Sequence, residues 1–364
     1  MESFDTAIIG TSPGALMEAL ILARSGRKVC MVDRNPSPGG AWAVLDSFNL
    51  PNIESGPHFF QSHIDLSFLE GDIPFKLMPV PRTQWMLSIR GFAFKASDRL
   101  AKLTVSALQI AHCFLKRKRS GFRNVSDDRI SKFSGAWSKL VYHMFHFRES
   151  TRYFQGGCGE FVQGLHEAAS KEGITIFNDS LVSVDTTKEQ LRLDCESGRV
   201  IECNRLLLTG RSTLGQVNGE PQECLSVHRN QVHLLVKTPH PLEWYLHRFY
   251  GLGYFAVVNL TKIGNHEDGN HTSLIAATLS DMSEPKILDQ EKAKSVFEDL
   301  VAKKLLPKEA ELLEYQASTW DDSRLHYDAY EKLQQTSSGR VTLVGNIDLA
   351  LWIQDIEKRW VPCN

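Results

Sequence analysis

The chain has 364 residues, of which 42% are hydrophobic and 23% are charged, and its formal net charge is -2. A chain of this length can bury a large core and is expected to divide into two or three domains or lobes. The near balance of charges gives no general attraction to nucleic acid or to an anionic membrane. The composition therefore indicates a globular protein without a nucleic-acid partner, whose ligands are recognised by local sites.

The seven cysteines are scattered along the chain, and none of them forms a C-x-x-C pair. Their odd number and spacing argue against a disulfide framework and against a zinc ribbon, and favour a reducing compartment. The first residues, MESFD, run directly into a strand-like segment and leave no room for a secretion signal. We therefore expect a cytoplasmic protein.

The apolar run from Leu103 to Leu115 is followed by the basic sequence KRKR. It is shorter than the ~20 residues that a membrane-spanning helix needs, so we expect a buried or half-buried helix and no integral membrane segment. Its basic end leaves a peripheral membrane contact open, although such charge runs are usually solvated helix ends.

The opening residues have the pattern of a strand, a turn, a helix and a second strand. TAIIG is followed by a glycine-containing turn, by the helical sequence ALMEALILARSG and by the strand KVCMVD. Two strands joined in this way are parallel and have a right-handed crossover. The pattern predicts an α/β fold with a Rossmann-like domain.

Two later regions of the chain show similar patterns of strands, glycine turns and helices. GGCGEFVQGLHEAASKEGITIF predicts a glycine turn, a helix and a strand, QLRLDCESGRVIEC predicts a β-meander, and RVTLVGN predicts a late strand. We therefore expect a parallel sheet with helices plus a β-meander, interrupted by an inserted mixed α+β substrate domain. The expected segments are a nucleotide-binding segment 1–58, a helical substrate lobe 59–150, a nucleotide-binding segment 151–215, a substrate lobe of sheet plus helix 216–330, and a nucleotide-binding segment 331–364.

Gly10, Ser12 and Ala15 stand at the three glycine positions of the G-x-G-x-x-G dinucleotide fingerprint. Alanine is an allowed third residue, so only Ser12 departs from the pattern, and its hydroxyl adds a hydrogen-bond donor. Pro13 and Gly14 keep the turn compact. The free N–H groups and the positive dipole end of the following helix predict a phosphate site.

Asp33 closes the second strand about twenty residues after the turn, where an acid can accept hydrogen bonds from ribose hydroxyls. Gly39 and Gly40 follow in a proline-stiffened loop, and paired glycines allow the backbone to approach a second bulky group. A plain βαβ unit without a ligand is the alternative.

Asp33, Arg34, Gly39 and Gly40 together fit the pattern D/E-R/K-x-x-x-x-G-G. Here the sequence resembles the FAD-binding superfamily of flavin amine oxidases, protoporphyrinogen oxidase, phytoene desaturases, UDP-galactopyranose mutase and the Rab GDP-dissociation inhibitors. GGCGEFVQGL, NDSLVSV, LLLTG and VTLVGN resemble further motifs of these proteins in the expected order, and the resemblance covers under half of the chain. It implies FAD, and non-covalent FAD because Cys363 lacks the Ser-Gly-Cys context of covalent flavin sites.

The resemblance also implies which residues bind the cofactor. The backbone of the strand that contains Val182 is expected to meet the adenine, and Asn346 stands where these proteins have an acid that helps to hold the flavin. The full set is Gly10, Ser12, Pro13, Gly14, Ala15, Asp33, Arg34, Gly39, Gly40, Ala41, Trp42, Val182, Thr209, Gly210, Gly345 and Asn346.

Three residues are candidates for catalysis or substrate binding. ESGPHFFQSH resembles the mutase segment in which a histidine lies beside the isoalloxazine ring, so we expect His58 to tune the flavin or to relay a proton. A packed loop histidine is the alternative. Arg148 and Arg152 flank the return to the nucleotide domain and could bind a carboxylate or a phosphate, with surface ion pairs as the alternative.

We predict no metal site. His143 and His146 lie three residues apart on an expected helix, but no third ligand has a recognisable spacing. Cys158 lies at a helix N-terminus, where the pKa of a thiol can fall. The superfamily places a packing residue there, so we expect a structural role for Cys158.

These features together imply an FAD-dependent oxidoreductase of the amine oxidase or desaturase type. Its substrate would be a small or medium organic molecule held between the FAD domain and the inserted lobes. Two alternatives stay open: a non-redox flavin enzyme resembling UDP-galactopyranose mutase, and a non-catalytic binder resembling the GDP-dissociation inhibitors. Ser12 and Asn346, which depart from the motifs of flavin-binding proteins, slightly favour the second alternative.

Overall fold

The structure is a computed structural model of the chain. It describes residues 2–54, 58, 60–61, 66–69, 71, 73, 75–79, 83–89, 92–97, 100, 103–104, 107, 151–209, 212–225, 228–250, 253–262, 271–279, 289–321, 324–325 and 327–344. None of the helices in these ranges combines the length and the hydropathy that a bilayer crossing requires.

Within these residues the chain forms four α-helices and 23 strands, many of them short. The helices are α1 (Pro13–Arg24), α2 (Cys158–Lys171), α3 (Gln290–Ala302) and α4 (Tyr327–Thr336). The strands of the first half are β1 (Glu2–Ile9), β2 (Val29–Asp33), β3 (Val44–Ser47), β4 (Leu50–Glu54), β5 (Phe60–Gln61), β6 (Leu77–Pro79), β7 (Thr83–Ile89), β8 (Phe92–Ser97), β9 (Thr151–Phe154), β10 (Thr175–Asn178) and β11 (Leu181–Asp185). The remaining strands are β12 (Leu191–Cys195), β13 (Val200–Thr209), β14 (Gln216–Val217), β15 (Glu220–Pro221), β16 (Cys224–Leu225), β17 (His228–Lys237), β18 (Leu246–Tyr250), β19 (Tyr254–Asn259), β20 (Thr272–Leu279), β21 (Glu311–Asp321), β22 (Arg324–Leu325) and β23 (Val341–Val344).

The first sheet has a parallel centre in the order β10-β2-β1-β13. Ile8 of β1 is buried on one face against α1 and α2, whereas Ala7 and Ile9 are buried on the opposite face. Burial on both faces is what makes such strands almost continuously apolar. The predicted strand-turn-helix-strand unit is confirmed.

The long strand β13 joins the two parts of this sheet. Its first half pairs with β12 in the antiparallel meander β11-β12-β13, and its second half pairs in parallel with β23 on the same edge. Val344, the last residue of β23, lies opposite Thr209, the last residue of β13. The predicted Rossmann-like sheet with a β-meander is therefore confirmed, and the carboxyl ends of its parallel strands lie at one edge.

The second sheet has seven strands in the order β21-β17-β20-β19-β18-β7-β8. The parallel pair of β18 and β7 brings strands from segments 59–150 and 216–330 into this one sheet. One face of the sheet packs on α3 through residues such as Val232, and the other face packs towards Ile53 of β4. The second face is thus turned towards β4, which follows the first strand-turn-helix-strand unit in the chain.

Candidate functional site

Gly10 directly follows β1, at a point where a side chain does not fit. Its φ is 101°, and an added Cβ would lie 2.6 Å from Oγ1 of Thr209. Its N–H donates a 2.7 Å hydrogen bond to the carbonyl of Val32, which fixes the turn to the neighbouring strand. The first glycine of the fingerprint is therefore required by both backbone conformation and space.

Asp33 is buried directly beside this turn, with only 7% of its surface exposed. Its Oδ2 accepts hydrogen bonds from both the N–H and the hydroxyl of Thr11, at 2.7 and 2.6 Å. Its Oδ1 accepts the N–H of Asn35 at 2.9 Å. The predicted ribose ligand thus also holds the glycine turn in place.

Within the part of the chain that the structure describes, the N-terminus of α1 has no side-chain cap. Ser12 occupies the N-cap position without a capping hydrogen bond, Pro13 follows, and no acidic residue lies in the first turn. Oγ of Ser12 is buried and has no hydrogen-bond partner. The first N–H groups of a helix have no partner within it, so this end offers donors and a positive dipole to an anion.

The N-terminus of α2 provides a direct contrast. The N–H of Cys158 donates a 2.7 Å hydrogen bond to Oε1 of Glu54, so a buried carboxylate already caps this helix. Gly157 precedes it with a φ of 91°, and a Cβ at that position would lie 3.1 Å from the same oxygen. Of these two helix ends, α1 is the one prepared for an external anion.

Gly39 and Gly40 pack against the glycine turn that joins β1 to α1. The N–H of Gly39 donates to the carbonyl of Thr11 at 3.0 Å, and Gly40 lies face to face with Ser12, because an added Cβ would be 3.5 Å from the Cβ of Ser12. Both glycines have positive φ, 114° and 54°. The single-turn 3-10 helix Gly40–Trp42 follows, which contains the predicted Ala41.

The ring of Trp42 contacts the ring of His58, with centroids 4.8 Å apart and an angle of 36° between the ring planes. Nδ1 of His58 lies 3.3 Å from Oε2 of Glu54 and 3.5 Å from Sγ of Cys158. The Cys158 thiol also lies 3.5 Å from the carbonyl of Trp42, to which it can donate. The simplest arrangement of hydrogen bonds is therefore Nδ1–H to Glu54 and Sγ–H to the carbonyl of Trp42.

The cluster of Glu54, His58 and Cys158 is buried, and its possible ligand atoms lie within 4.8 Å of one another. Burial raises the pKa of the Cys158 thiol well above its usual value, and the charge of Glu54 adds to this effect. The helix N-terminus does not activate this thiol, which agrees with the structural role expected for it.

The other predicted residues occupy varied positions. Arg34 pairs with Asp321 at 3.1 Å and also donates to its carbonyl, so it ties the end of β2 to the end of β21. The carbonyl of Val182 accepts the N–H of Gly215 at 3.0 Å, and its side chain is exposed. Arg152 is exposed on β9, between β5 and β6.

The structure thus brings eight of the predicted residues together around the first turn and the glycine pair: Gly10, Ser12, Pro13, Asp33, Gly39, Gly40, Trp42 and Thr209. Gly14 and Ala15 are buried in the first turn of α1. Arg148, Gly210, Gly345 and Asn346 lie outside the described residues.

Sequence reasoning missed Thr11 and Glu54. Thr11 stands at a variable position of the fingerprint, where the pattern specifies no residue type. Glu54 lies four residues before His58, and its contact with Cys158 is formed far along the chain. No local pattern marks Glu54 as a helix cap, because the N–H that it accepts lies 104 residues further along the chain.

The chain is similar to several solved structures over nearly all of its length. A candidate protoporphyrinogen oxidase from Exiguobacterium sp. 255-15 has a TM-score of 0.63 and 14% sequence identity, with 98% of this chain and 97% of that chain covered. A reduced UDP-galactopyranose mutase has the same TM-score and identity, with 98% and 93% covered. A putrescine oxidase variant from a redesign of cofactor binding also has 0.63 and 14%, with 98% of each chain covered.

At these identities the similarity establishes the fold. The chain has the fold of the FAD-binding amine oxidase superfamily, to which these neighbours belong, and the resemblance seen in the sequence motifs is confirmed at this level. No protein-family model matches the sequence, and no curated protein matches it either.

Proposed function

We propose that the protein is an FAD-dependent oxidoreductase of the amine oxidase or desaturase type that binds FAD without a covalent bond. One observation carries this proposal: the N-terminus of α1 is uncapped, its Ser12 hydroxyl is buried without a partner, and glycines with positive φ surround it. A buried polar atom without a partner is costly, and a diphosphate at this helix end would satisfy it. The fold shared with solved flavin enzymes supports the same proposal.

We call Ser12, Gly14, Ala15, Asp33, Gly39 and Gly40 the cofactor cradle. These residues fit the parts of FAD. Ser12 and the N–H groups of Gly14 and Ala15 would bind the diphosphate, and the remaining acceptor capacity of Asp33 would bind a ribose hydroxyl. The backbone of Gly39 and Gly40 would allow the diphosphate to approach closely. When bound, FAD would supply the acceptor for two electrons and a proton from the substrate.

His58 is proposed as the proton-handling group of this site. Its Nδ1 is held by Glu54 and its ring by Trp42, so the orientation of Nε2 is fixed. An imidazole that is fixed in this way can accept a proton from a substrate. Arg152 and Arg148 are proposed as anchors for an anionic part of the substrate, and the metal-free chemistry expected from the sequence is retained.

The substrate is proposed to lie between the nucleotide-binding domain and the face of the second sheet that packs towards Ile53 of β4. Nε2 of His233 on β17 lies 3.3 Å from the carbonyl of Glu54, so this face reaches the His58 cluster directly. A small or medium organic molecule is the proposed class of substrate, because such ligands bind preferentially at domain interfaces.

A cytoplasmic location is also proposed. Five cysteines within the described ranges are free thiols: Cys30, Cys158, Cys195, Cys203 and Cys224. Free thiols persist in a reducing compartment. Fractionation of cells that produce the tagged protein tests this location.

The visible spectrum of the purified protein tests the central proposal. We expect flavin absorption bands, release of intact FAD on denaturation, and bleaching of the bands by an oxidisable organic substrate under anaerobic conditions. Gly10→Glu should abolish FAD binding while the fold is partly retained, because the new side chain collides with Thr209. Gly253→Glu is the matched control, since Gly253 is exposed, has no neighbouring atom within 4 Å of an added Cβ, and does not have a positive φ.

Other outcomes select the alternatives. A colourless protein that takes up no added FAD would contradict the enzyme proposal and favour a non-catalytic binder. Turnover of a nucleotide sugar only after chemical reduction of the flavin would favour a mutase-like, non-redox enzyme. Full flavin retention in Gly10→Glu would contradict the proposed cradle.

A further inference from the structure

One face of the second sheet carries five polar side chains on β21, which is an edge strand, and on its neighbour β17. We call them the polar ladder: Gln231, His233, Gln316, Ser318 and Trp320. Gln231 lies opposite Ser318, and His233 lies opposite Gln316, in the antiparallel pairing of the two strands. Alternate residues of a strand share a face, so all five side chains lie on the same side of the sheet.

The polar ladder contains six side-chain atoms that are buried and have no hydrogen-bond partner. They are Oε1 and Nε2 of Gln231, Nδ1 of His233, Oε1 of Gln316, Oγ of Ser318 and Nε1 of Trp320. Gln231 and His233 are fully buried. Buried polar groups in proteins are nearly always paired, so six such atoms on one face require an explanation.

On the opposite face of β17, the residues that alternate with the ladder are mainly apolar, and the polar Asn230 is hydrogen-bonded to Thr319 of β21. Val232, Leu234 and Val236 alternate with the ladder residues of β17 and pack against α3. On β17 and β21, the unpaired buried polar atoms therefore lie on the face that packs towards Ile53 of β4.

Two contacts place the polar ladder over the proposed cofactor cradle. At one end, His233 contacts the backbone of Glu54, whose carboxylate holds His58. At the other end, Asp321 follows Trp320 directly and pairs with Arg34, the neighbour of Asp33. The ladder thus extends from the His58 cluster towards the ribose end of the cradle.

The ladder groups are neutral. Nε2–H of His233 donates to the carbonyl of Glu54. Nδ1 of His233 therefore carries no proton and can only accept a hydrogen bond. Burial lowers the pKa of His233 to about 4, and the hydrogen bond to Glu54 opposes this only in part, so the ring is uncharged at neutral pH. The other four side chains carry amide, hydroxyl and indole groups, which together offer both donors and acceptors.

We propose that the polar ladder is the substrate-recognition surface, and that it binds an uncharged part of the substrate rich in hydrogen-bonding groups, such as the hydroxyls of a polyol or sugar or a neutral amide. This inference rests on the proposed function and specifies its substrate class. An ammonium or carboxylate group would be buried against neutral partners, which is costly, and an apolar substrate would leave the six atoms unpaired.

Gln231→Leu gives the first test, because a recognition role and a structural role predict opposite effects on stability. Gln231 has no partner in the free protein, so its replacement by an apolar residue of similar size should raise the melting temperature of the free protein. Thr319→Val is the matched control: it lies on the same strand but faces the other side, where Thr319 donates to Asn230 at 3.1 Å. The control should lower the melting temperature slightly and leave ligand binding unchanged.

The second test measures binding to the flavin-loaded protein. The neutral probes are sorbitol, N-acetylglucosamine and nicotinamide, and the charged probes are putrescine and hexanoate. We expect saturable changes in flavin absorbance and melting temperature with at least one neutral probe, and a loss of affinity of about tenfold or more in Gln231→Leu, as expected when a buried hydrogen-bonding pair is removed. Responses to the charged probes alone, or to none of the neutral probes, would overturn the proposal.

The FAD content of each variant separates the two inferences. Gln231→Leu should keep its full complement of FAD, and loss of FAD in this variant would show that the ladder lines the cofactor, which overturns the substrate assignment. A melting temperature that falls in Gln231→Leu would overturn it as well. A wild-type protein without flavin would contradict the proposed function, while the melting-temperature tests of the ladder do not depend on flavin.

Discussion

Thr11 donates two hydrogen bonds to a single oxygen of Asp33, one from its N–H at 2.7 Å and one from its hydroxyl at 2.6 Å. Asn35 occupies the other oxygen through its N–H. A carboxylate has about four acceptor positions, and three of them are therefore used within the chain. Asp33 thus fixes the glycine turn and retains one acceptor position, which is the position that we propose for a ribose hydroxyl.

Thr11→Val removes one of these donors and keeps the size and β-branching of the side chain. We expect the free energy of unfolding to fall by about 1–2 kcal/mol, because a buried carboxylate loses a hydrogen bond. We also expect weaker binding of FAD, because the turn that carries Ser12 is held less firmly. Urea denaturation of the free protein and titration with FAD measure the two effects.

Thr187→Val is the control for this prediction. Thr187 donates its hydroxyl to Asp185 at 2.6 Å, but on an exposed turn. We expect its free energy of unfolding to change by less than about 0.5 kcal/mol. Equal losses in the two variants would contradict the importance of burial at Asp33.

Ser12→Ala tests the one departure from the glycine fingerprint. Because the Ser12 hydroxyl has no partner in the free protein, its removal should leave the melting temperature of the free protein unchanged or slightly raised. If this hydroxyl binds the diphosphate, the Kd for FAD should rise about tenfold, which corresponds to ~1.4 kcal/mol.

Ser25→Ala, at the C-terminal end of α1, is the control for Ser12→Ala, and we expect the opposite result. Oγ of Ser25 already donates to the carbonyl of Leu22 at 2.7 Å, so its loss should lower stability without changing the Kd for FAD. A Ser12→Ala protein that loses stability and binds FAD normally would show that Ser12 is a structural residue only.

The parts of the fold that the sequence predicts well are those set by local patterns. The strand before Gly10, the helix after Ser12 and the acid at Asp33 all lie within one short segment, whose apolar periodicity and turn residues require no distant contact. The approach of Thr209 to Gly10 could be expected as well, because parallel strands bring their carboxyl ends to one edge.

The polar ladder and the Glu54 cluster could not be derived in the same way. Gln231 and Ser318 come from strands far apart in the chain, and only the register of β17 against β21 places them side by side. A shift of one residue would turn every ladder side chain to the opposite face. The pairing of β7 with β18 also depends on long-range contacts, which is why the sequence shows two lobes where the structure has one shared sheet.

The Glu54, His58 and Cys158 cluster leads to a prediction about metals. We expect no stoichiometric zinc after incubation with zinc at neutral pH and dialysis, as measured by mass spectrometry of the metal content. Glu54 is already held by the N–H of Cys158, and burial together with the Glu54 charge raises the pKa of the thiol, so the thiolate that zinc requires is disfavoured. One equivalent of zinc that is lost in Cys158→Ser and retained in Cys224→Ser would contradict this prediction.

His233 makes stability depend on pH in a defined direction. Its pKa is lowered by burial to about 4 in the folded protein, whereas an unfolded histidine has a pKa of about 6.5. The unfolded chain therefore binds the proton first as the pH falls, so the contribution of neutral His233 is complete above pH ~6.5 and is lost progressively towards pH ~4. The full effect is about 3 kcal/mol.

We expect the free energy of unfolding, measured in urea between pH 7 and about 4.5, to fall steadily in the wild-type protein, over a range in which most carboxyl groups are still ionised. His233→Gln should flatten this dependence, because glutamine does not titrate and its amide can replace Nε2 as the donor to Glu54. His240→Gln, at an exposed position, is the control and should keep the wild-type slope. An unchanged slope in His233→Gln would show that the buried neutral imidazole is not the source of the acid sensitivity.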